Sequence, residues 1–124
     1  MPKRPLVCVV DDDESVRESL PDLLREFGFA VEAFSSATEF LTSDVLTKTD
    51  CLVLDVAMPQ MSGPELQQEL RRRGLNVPIV FITAHSEGGG RPRVLLERGA
   101  VACLLKPFSQ AALFDALSLA LPTP

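Results

Sequence analysis

The chain has 124 residues, of which 46% are hydrophobic and 23% charged, and its formal net charge is −5. That length fits one domain and suffices to bury roughly two-thirds of the unfolded surface, so neither a disulfide nor a structural zinc is required for stability. The composition excludes a disordered chain, and the acidity argues against unaided binding to nucleic acid or to an anionic membrane.

Leu6–Val10 is a continuous apolar run that ends abruptly in Asp11-Asp12-Asp13. Ser15–Phe27 places Val16, Leu20, Leu23, Leu24 and Phe27 on one helical face, with Asp13 or Ser15 available as a cap and Gly28 as the stop. Pro21 removes one backbone hydrogen bond from that helix, at a cost of ~3 kcal/mol. The apolar spacing continues through it, which predicts one kinked helix and not two. Ala30–Phe34 reads as a second strand and Ser36–Thr42 as a short helix with Phe40 and Leu41 inward. Cys51–Val56 is apolar except for Asp55. Ser62-Gly63-Pro64-Glu65 fits a capping box with an early proline, and opens a helix to about Arg73 that Gly74 closes. Pro78–Thr83 is a fourth strand. In the weak segment from Ser86 to Arg98, Gly88-Gly89-Gly90 opposes helix by ~1 kcal/mol per glycine, while Pro92 suits a first turn. The fourth helix is therefore expected to be short, late or mobile. Val101–Leu105 is a fifth strand, and Ser109 caps a last helix that ends before Pro122.

This is βα repeated five times, an α/β class. Short runs that are apolar throughout predict parallel strands buried on both faces, with right-handed crossovers placing helices on each side. Residues 1–121 form the domain, and Pro122-Thr123-Pro124 opens a tail or linker. Cys8, Cys51 and Cys103 lie in apolar runs without a C-x-x-C pair, and read as buried, reduced thiols of a cytoplasmic protein. No apolar run approaches the ~18 residues of a membrane span, and the first residues lead into no secretory core.

In a doubly wound sheet, functional groups gather beyond the carboxyl ends of the strands. Those ends carry Asp11-Asp12-Asp13, Asp55, Thr83 and Lys106-Pro107. Neighbouring carboxylates repel unless a cation sits between them, and Mg²⁺ suits such oxygen donors. Asp13 is read as a helix cap, and Asp11 and Asp12 as metal-binding. Asp55, at the end of an apolar strand, needs the cation or Lys106 as a partner. Its other use is as a nucleophile toward phosphorus, with Lys106 and the cation neutralising phosphoryl oxygens and Thr83 donating a hydrogen bond.

These residues, with Val9-Val10-Asp11-Asp12, Leu54 to Gly63, Ile82-Thr83-Ala84-His85, Gly99-Ala100-Val101 and Lys106-Pro107-Phe108, resemble the receiver domains of two-component response regulators of the FixJ-like, LuxR-type kind. The resemblance covers nearly the whole chain. It implies a flavodoxin-like (βα)5 fold with strand order 2-1-3-4-5. Asp55 would then accept a phosphoryl group from a sensor histidine kinase. Mg²⁺, with Mn²⁺ as a substitute, would be held by Asp12, Asp55 and the backbone carbonyl of Ala57, with Asp11 acting through water. Thr83 and Lys106 would hold the phosphoryl group, and the Lys106–Pro107 peptide would be cis. Ala57 and His85 would tune dephosphorylation, although His85 also reads simply as an exposed loop residue.

Homodimerisation on phosphorylation, and transcriptional output through a DNA-binding domain outside this chain, belong to the same implication. Such a chain is a phosphorylation switch that acts only on itself, not a conventional enzyme. The family's switch aromatic falls on Cys103, which has no ring to swing, so output is expected to use backbone order in Ser86–Arg98. A phosphorylation-independent docking module is the main rival. A nucleotide-binding flavodoxin-like enzyme lacks its glycine-rich loops here. A haloacid-dehalogenase-like phosphatase would use the Asp11-Asp12-Asp13 spacing but leaves the other strand-end groups unexplained.

Overall fold

A computed structural model of the protein describes residues 4–84 and 92–121. The strands are β1 (Leu6–Val10), β2 (Ala30–Phe34), β3 (Cys51–Asp55), β4 (Ile79–Ala84) and β5 (Ala102–Lys106). The helices are α1 (Glu14–Glu26), α2 (Ala37–Leu41), α3 (Gly63–Arg72), α4 (Pro92–Glu97) and α5 (Gln110–Ala120). All strand pairs are parallel, in the order β2-β1-β3-β4-β5. The expected α/β architecture and strand order are observed.

Two apolar layers sandwich the sheet. On one face Leu20 and Leu24 of α1 and Leu113 and Leu117 of α5 pack with Val7, Val9, Val53, Val80 and Ile82. On the other, Phe40 of α2, Leu66 and Leu70 of α3 and Leu95 of α4 pack with Cys8, Val10, Leu52, Leu54 and Phe81. Alternate residues of each central strand serve opposite layers, which is why β1 and β3 read as uninterrupted apolar runs. That reading fails at the margins. Strand β5 is only partly covered and Leu105 is 48% exposed, because an edge strand has one neighbour and α4 is six residues long. On the opposite edge, Glu32 and Ala33 of β2 are exposed.

Local signals account for most boundaries. Asp13 caps α1, its carboxylate accepting from the Ser15 N–H at 2.9 Å, so the helix starts at Glu14 and not at Ser15. It runs continuously through the buried Pro21 to Glu26. Ser36 caps α2. The capping box on α3 is complete: Ser62 Oγ accepts from the Glu65 N–H, and a Glu65 carboxylate oxygen accepts from the Ser62 N–H. Gly74 stands at φ 78°, the left-handed conformation that ends a helix with least strain at glycine. Strand β4 begins one residue later than expected, since Pro78 has no N–H to give the ladder, and β5 extends to Lys106 because Ala84 pairs with it.

A 3₁₀ turn at Leu46–Lys48 is a feature the periodicity did not signal. The fourth helix is short, as expected, and begins at Pro92. The expectations for His85, Ser86 and Gly88–Gly90, and for a tail at 122–124, lie outside the described residues. Cys8 and Cys51 are buried free thiols, whereas Cys103 is only half-buried, on the edge strand opposite Phe81.

Candidate functional site

Parallel strands bring their carboxyl ends to one edge, and four of the expected side chains meet there. Asp11 follows β1, Asp55 ends β3, and Lys106 ends β5. Lys106 Nζ lies 3.0 Å from Asp11 Oδ2 and 3.9 Å from Asp55 Oδ1. A carboxylate oxygen from each of Asp11, Asp12 and Asp55 lies within 4.8 Å of the other two. Asp11 is fully buried, Asp55 is 5% exposed, and Asp12 faces solvent. Thr83, in β4, is also buried; its hydroxyl donates to the Ala84 carbonyl oxygen at 3.3 Å. Asp13 stands apart in function as the α1 cap, and the Ser15 hydroxyl and N–H hold its carboxyl below the usual range.

The electrostatics follow from this crowding. Burial, and then the charge of Asp11, push the Asp55 carboxyl up to about 7, against the opposing pull of Lys106. Burial works against the charge on Lys106, but the hydrogen bond to Asp11 and the charges of Asp11, Asp55 and Asp13 outweigh it, so its pKa is raised. One ammonium facing three carboxylates leaves negative charge in excess. Three hard oxygen donors at this separation suit a divalent cation, which would relieve the repulsion. Ala57, just beyond β3, is exposed, and the Lys106–Pro107 peptide is cis.

Two contributors escaped the reading of the sequence. Gly63 opens α3 so close to β3 that an added Cβ would collide with the Asp55 backbone oxygen and stand 3.0 Å from Phe81 Cε1. This close approach seats α3 against the strand end that carries Asp55. A glycine at the start of an otherwise strong helix signal was the available hint. The other is Arg17, whose Nη1 donates to the Asp11 backbone oxygen at 2.9 Å. By spacing alone it is an ordinary solvated helix cation.

Fold and edge together define a doubly wound α/β domain with a cluster of carboxylates, of a kind that suits a divalent cation, at the carboxyl ends of its strands. A family model, the response regulator receiver domain, matches residues 7–118. Nodulation protein W of Bradyrhizobium diazoefficiens is 46% identical over 112 residues, 90% of this chain and 49% of that protein. Transcriptional regulatory protein FixJ of Azorhizobium caulinodans is 41% identical over 123 residues, 98% of this chain and 57% of that protein. The solved structure of the response regulator StyR superposes with a TM-score of 0.85 at 48% identity, covering 95% of this chain and 59% of that one. The chain belongs to the response regulator receiver domain family, of the FixJ/LuxR type. It spans about half the length of the curated relatives it matches. No helix among the described residues is long and apolar enough to cross a membrane.

Proposed function

We propose that Asp55 is the phosphoacceptor of a two-component relay and that residues 1–121 act as the receiver unit. The observation that carries this reading is the buried Asp55 carboxylate at the end of β3, with Asp11, Asp12 and Lys106 gathered around it. An Asp55 oxygen attacks phosphorus in line with the leaving group. The bond from phosphorus to the imidazole nitrogen of a sensor histidine kinase breaks, and its electron pair departs with that nitrogen. The product is an acyl phosphate, which water later returns to carboxylate and inorganic phosphate. The Lys106 ammonium pairs with a phosphoryl oxygen, and Thr83 turns from the Ala84 carbonyl to donate to another. Asp12, Asp55 and the Ala57 carbonyl would hold Mg²⁺, or Mn²⁺ in its place, with Asp11 acting through water. The cation supplies neutralisation of the charge gathering on the phosphoryl oxygens. Ala57, just beyond β3, would set how readily water reaches the acceptor; the same role for His85 rests on the family resemblance alone.

Output is part of the same proposal. The name transcriptional regulatory protein carried by the relative FixJ supports control of transcription; a cytoplasmic location, a DNA-binding domain and phosphorylation-dependent pairing of receivers are what the family resemblance adds to that reading. Cys103, on the half-covered β5, stands where the family's switch aromatic would fall and has no ring to swing, so the change would be carried by the backbone. Incubation with acetyl phosphate and Mg²⁺, followed by intact mass measurement, should add one phosphoryl group to the wild type and none to Asp55→Asn. Equal labelling of the two would overturn the assignment of the acceptor. An unlabelled wild type would favour the phosphorylation-independent docking module.

A further inference from the structure

Asp11 is completely buried, and each of its polar groups has a partner. Its N–H donates to the Phe34 oxygen at 3.1 Å. Its Oδ1 accepts from the Asp13 N–H at 2.9 Å and its Oδ2 from Lys106 Nζ at 3.0 Å. Its backbone oxygen accepts from Arg17 Nη1 at 2.9 Å. The last contact differs in kind. It comes from a half-buried side chain on α1, and its acceptor belongs to the peptide joining Asp11 to Asp12. The plane of that peptide sets the direction in which Asp12 leaves the strand end. Asp12 is exposed, so the direction of its carboxylate depends on the backbone that carries it.

We propose that Arg17 is a positioning residue for the cation and phosphoryl site. It holds the Asp11–Asp12 peptide so that the Asp12 carboxylate stays with that of Asp55. Its purpose rests on the phosphoacceptor reading above, but its effect can be measured without phosphoryl transfer. Charge and position make opposite demands. A guanidinium beside a cation site repels the cation, so if charge were its contribution, removing it would tighten binding. If position is its contribution, removing it loosens binding. Contacts that orient metal ligands are worth about 10–100-fold in metal affinity.

The test is Mn²⁺ affinity of the full chain, read from the electron paramagnetic resonance signal of free Mn²⁺. Arg17→Met should weaken binding about 10-fold or more, while the circular dichroism of the metal-free protein stays that of the wild type. Arg17→Lys, which restores one N–H donor at similar reach, should recover most of the affinity. Should Arg17→Met fail to fold, Arg17→Leu, which also lacks a donor, carries the same comparison. Unchanged or tighter Mn²⁺ binding in the truncated variant overturns the positioning role. So does an equal loss in Arg17→Lys, which would trace the effect to a general disturbance of α1. Acetyl phosphate labelling of the wild type separates the two levels. A wild type that is not labelled counts against the phosphoacceptor reading, whereas normal labelling beside unchanged Mn²⁺ affinity in Arg17→Met overturns the role of Arg17 alone.

Discussion

Without a cation, the acid cluster should make stability depend on pH in a way that a single substitution exposes. The Asp55 carboxyl is raised from an ordinary 3.8 to about 7, first by burial and then by the charge of Asp11. A raised acid binds its proton more tightly in the folded state. Its contribution is fully present below the unfolded pKa and is lost as pH rises through the folded value. About three pH units of separation correspond to roughly 4 kcal/mol, an upper figure because Lys106 can adjust toward the ionised group. Asp55→Asn keeps the shape and cannot ionise. In EDTA, its stability relative to wild type should be near zero at about pH 4 and should rise to a few kcal/mol in its favour at about pH 8. Urea denaturation followed by circular dichroism reads both proteins, and titration of carboxylates away from the cluster cancels in the difference. A divalent cation at about 100 times its Kd should restore roughly 2.7 kcal/mol to the wild type and narrow the gap. A difference that does not change with pH, or a wild type that is the more stable at about pH 8, would refute the reasoning.

Two further substitutions probe the frame of the site. Gly63→Ala places a Cβ against the Asp55 backbone oxygen and Phe81, so a loss of about 1–3 kcal/mol by urea denaturation is expected, together with slower acetyl phosphate labelling. Lys106→Met leaves the fully buried Asp11 carboxylate without its cation and should destabilise the metal-free protein by about 3 kcal/mol, the low end for a broken buried pair because Lys106 is 23% exposed. Added Mg²⁺ should recover part of that loss, read as a shift in melting temperature.

What the sequence revealed, and what it hid, follow from range. Strands β1 and β3 were legible because burial on both faces leaves no polar residue until the functional acid. The capping box of α3 and the Asp13 cap were legible because each is a contact across two or three residues. The five strand-end groups stood out because their residue types clash with the apolar runs they terminate. The turn at Leu46–Lys48 has no periodicity to detect, and Thr49 is buried beneath it by tertiary packing, its hydroxyl donating to the Val45 oxygen and sharing a hydrogen bond with Cys8 Sγ. Edge exposure of β5 could not be read from an apolar run, since Leu104 and Leu105 look alike until the sheet order assigns one a neighbouring layer and the other solvent.

The same logic separates the acids of Asp11-Asp12-Asp13, which composition makes equivalent. Asp13 spends its carboxylate on the α1 N-terminus, where a short local bond already satisfies it. Asp11 is buried with both carboxylate oxygens engaged, so moving it toward a ligand means breaking a contact with Lys106 or the Asp13 N–H. Asp12 alone keeps an exposed carboxylate beside Asp55. Direct binding of a cation therefore costs least through Asp12 and Asp55, while Asp11 holds Lys106 in place. Three identical side chains thus divide into cap, anchor and candidate ligand, and what divides them is the partner that each finds when the strand ends and the helix begins.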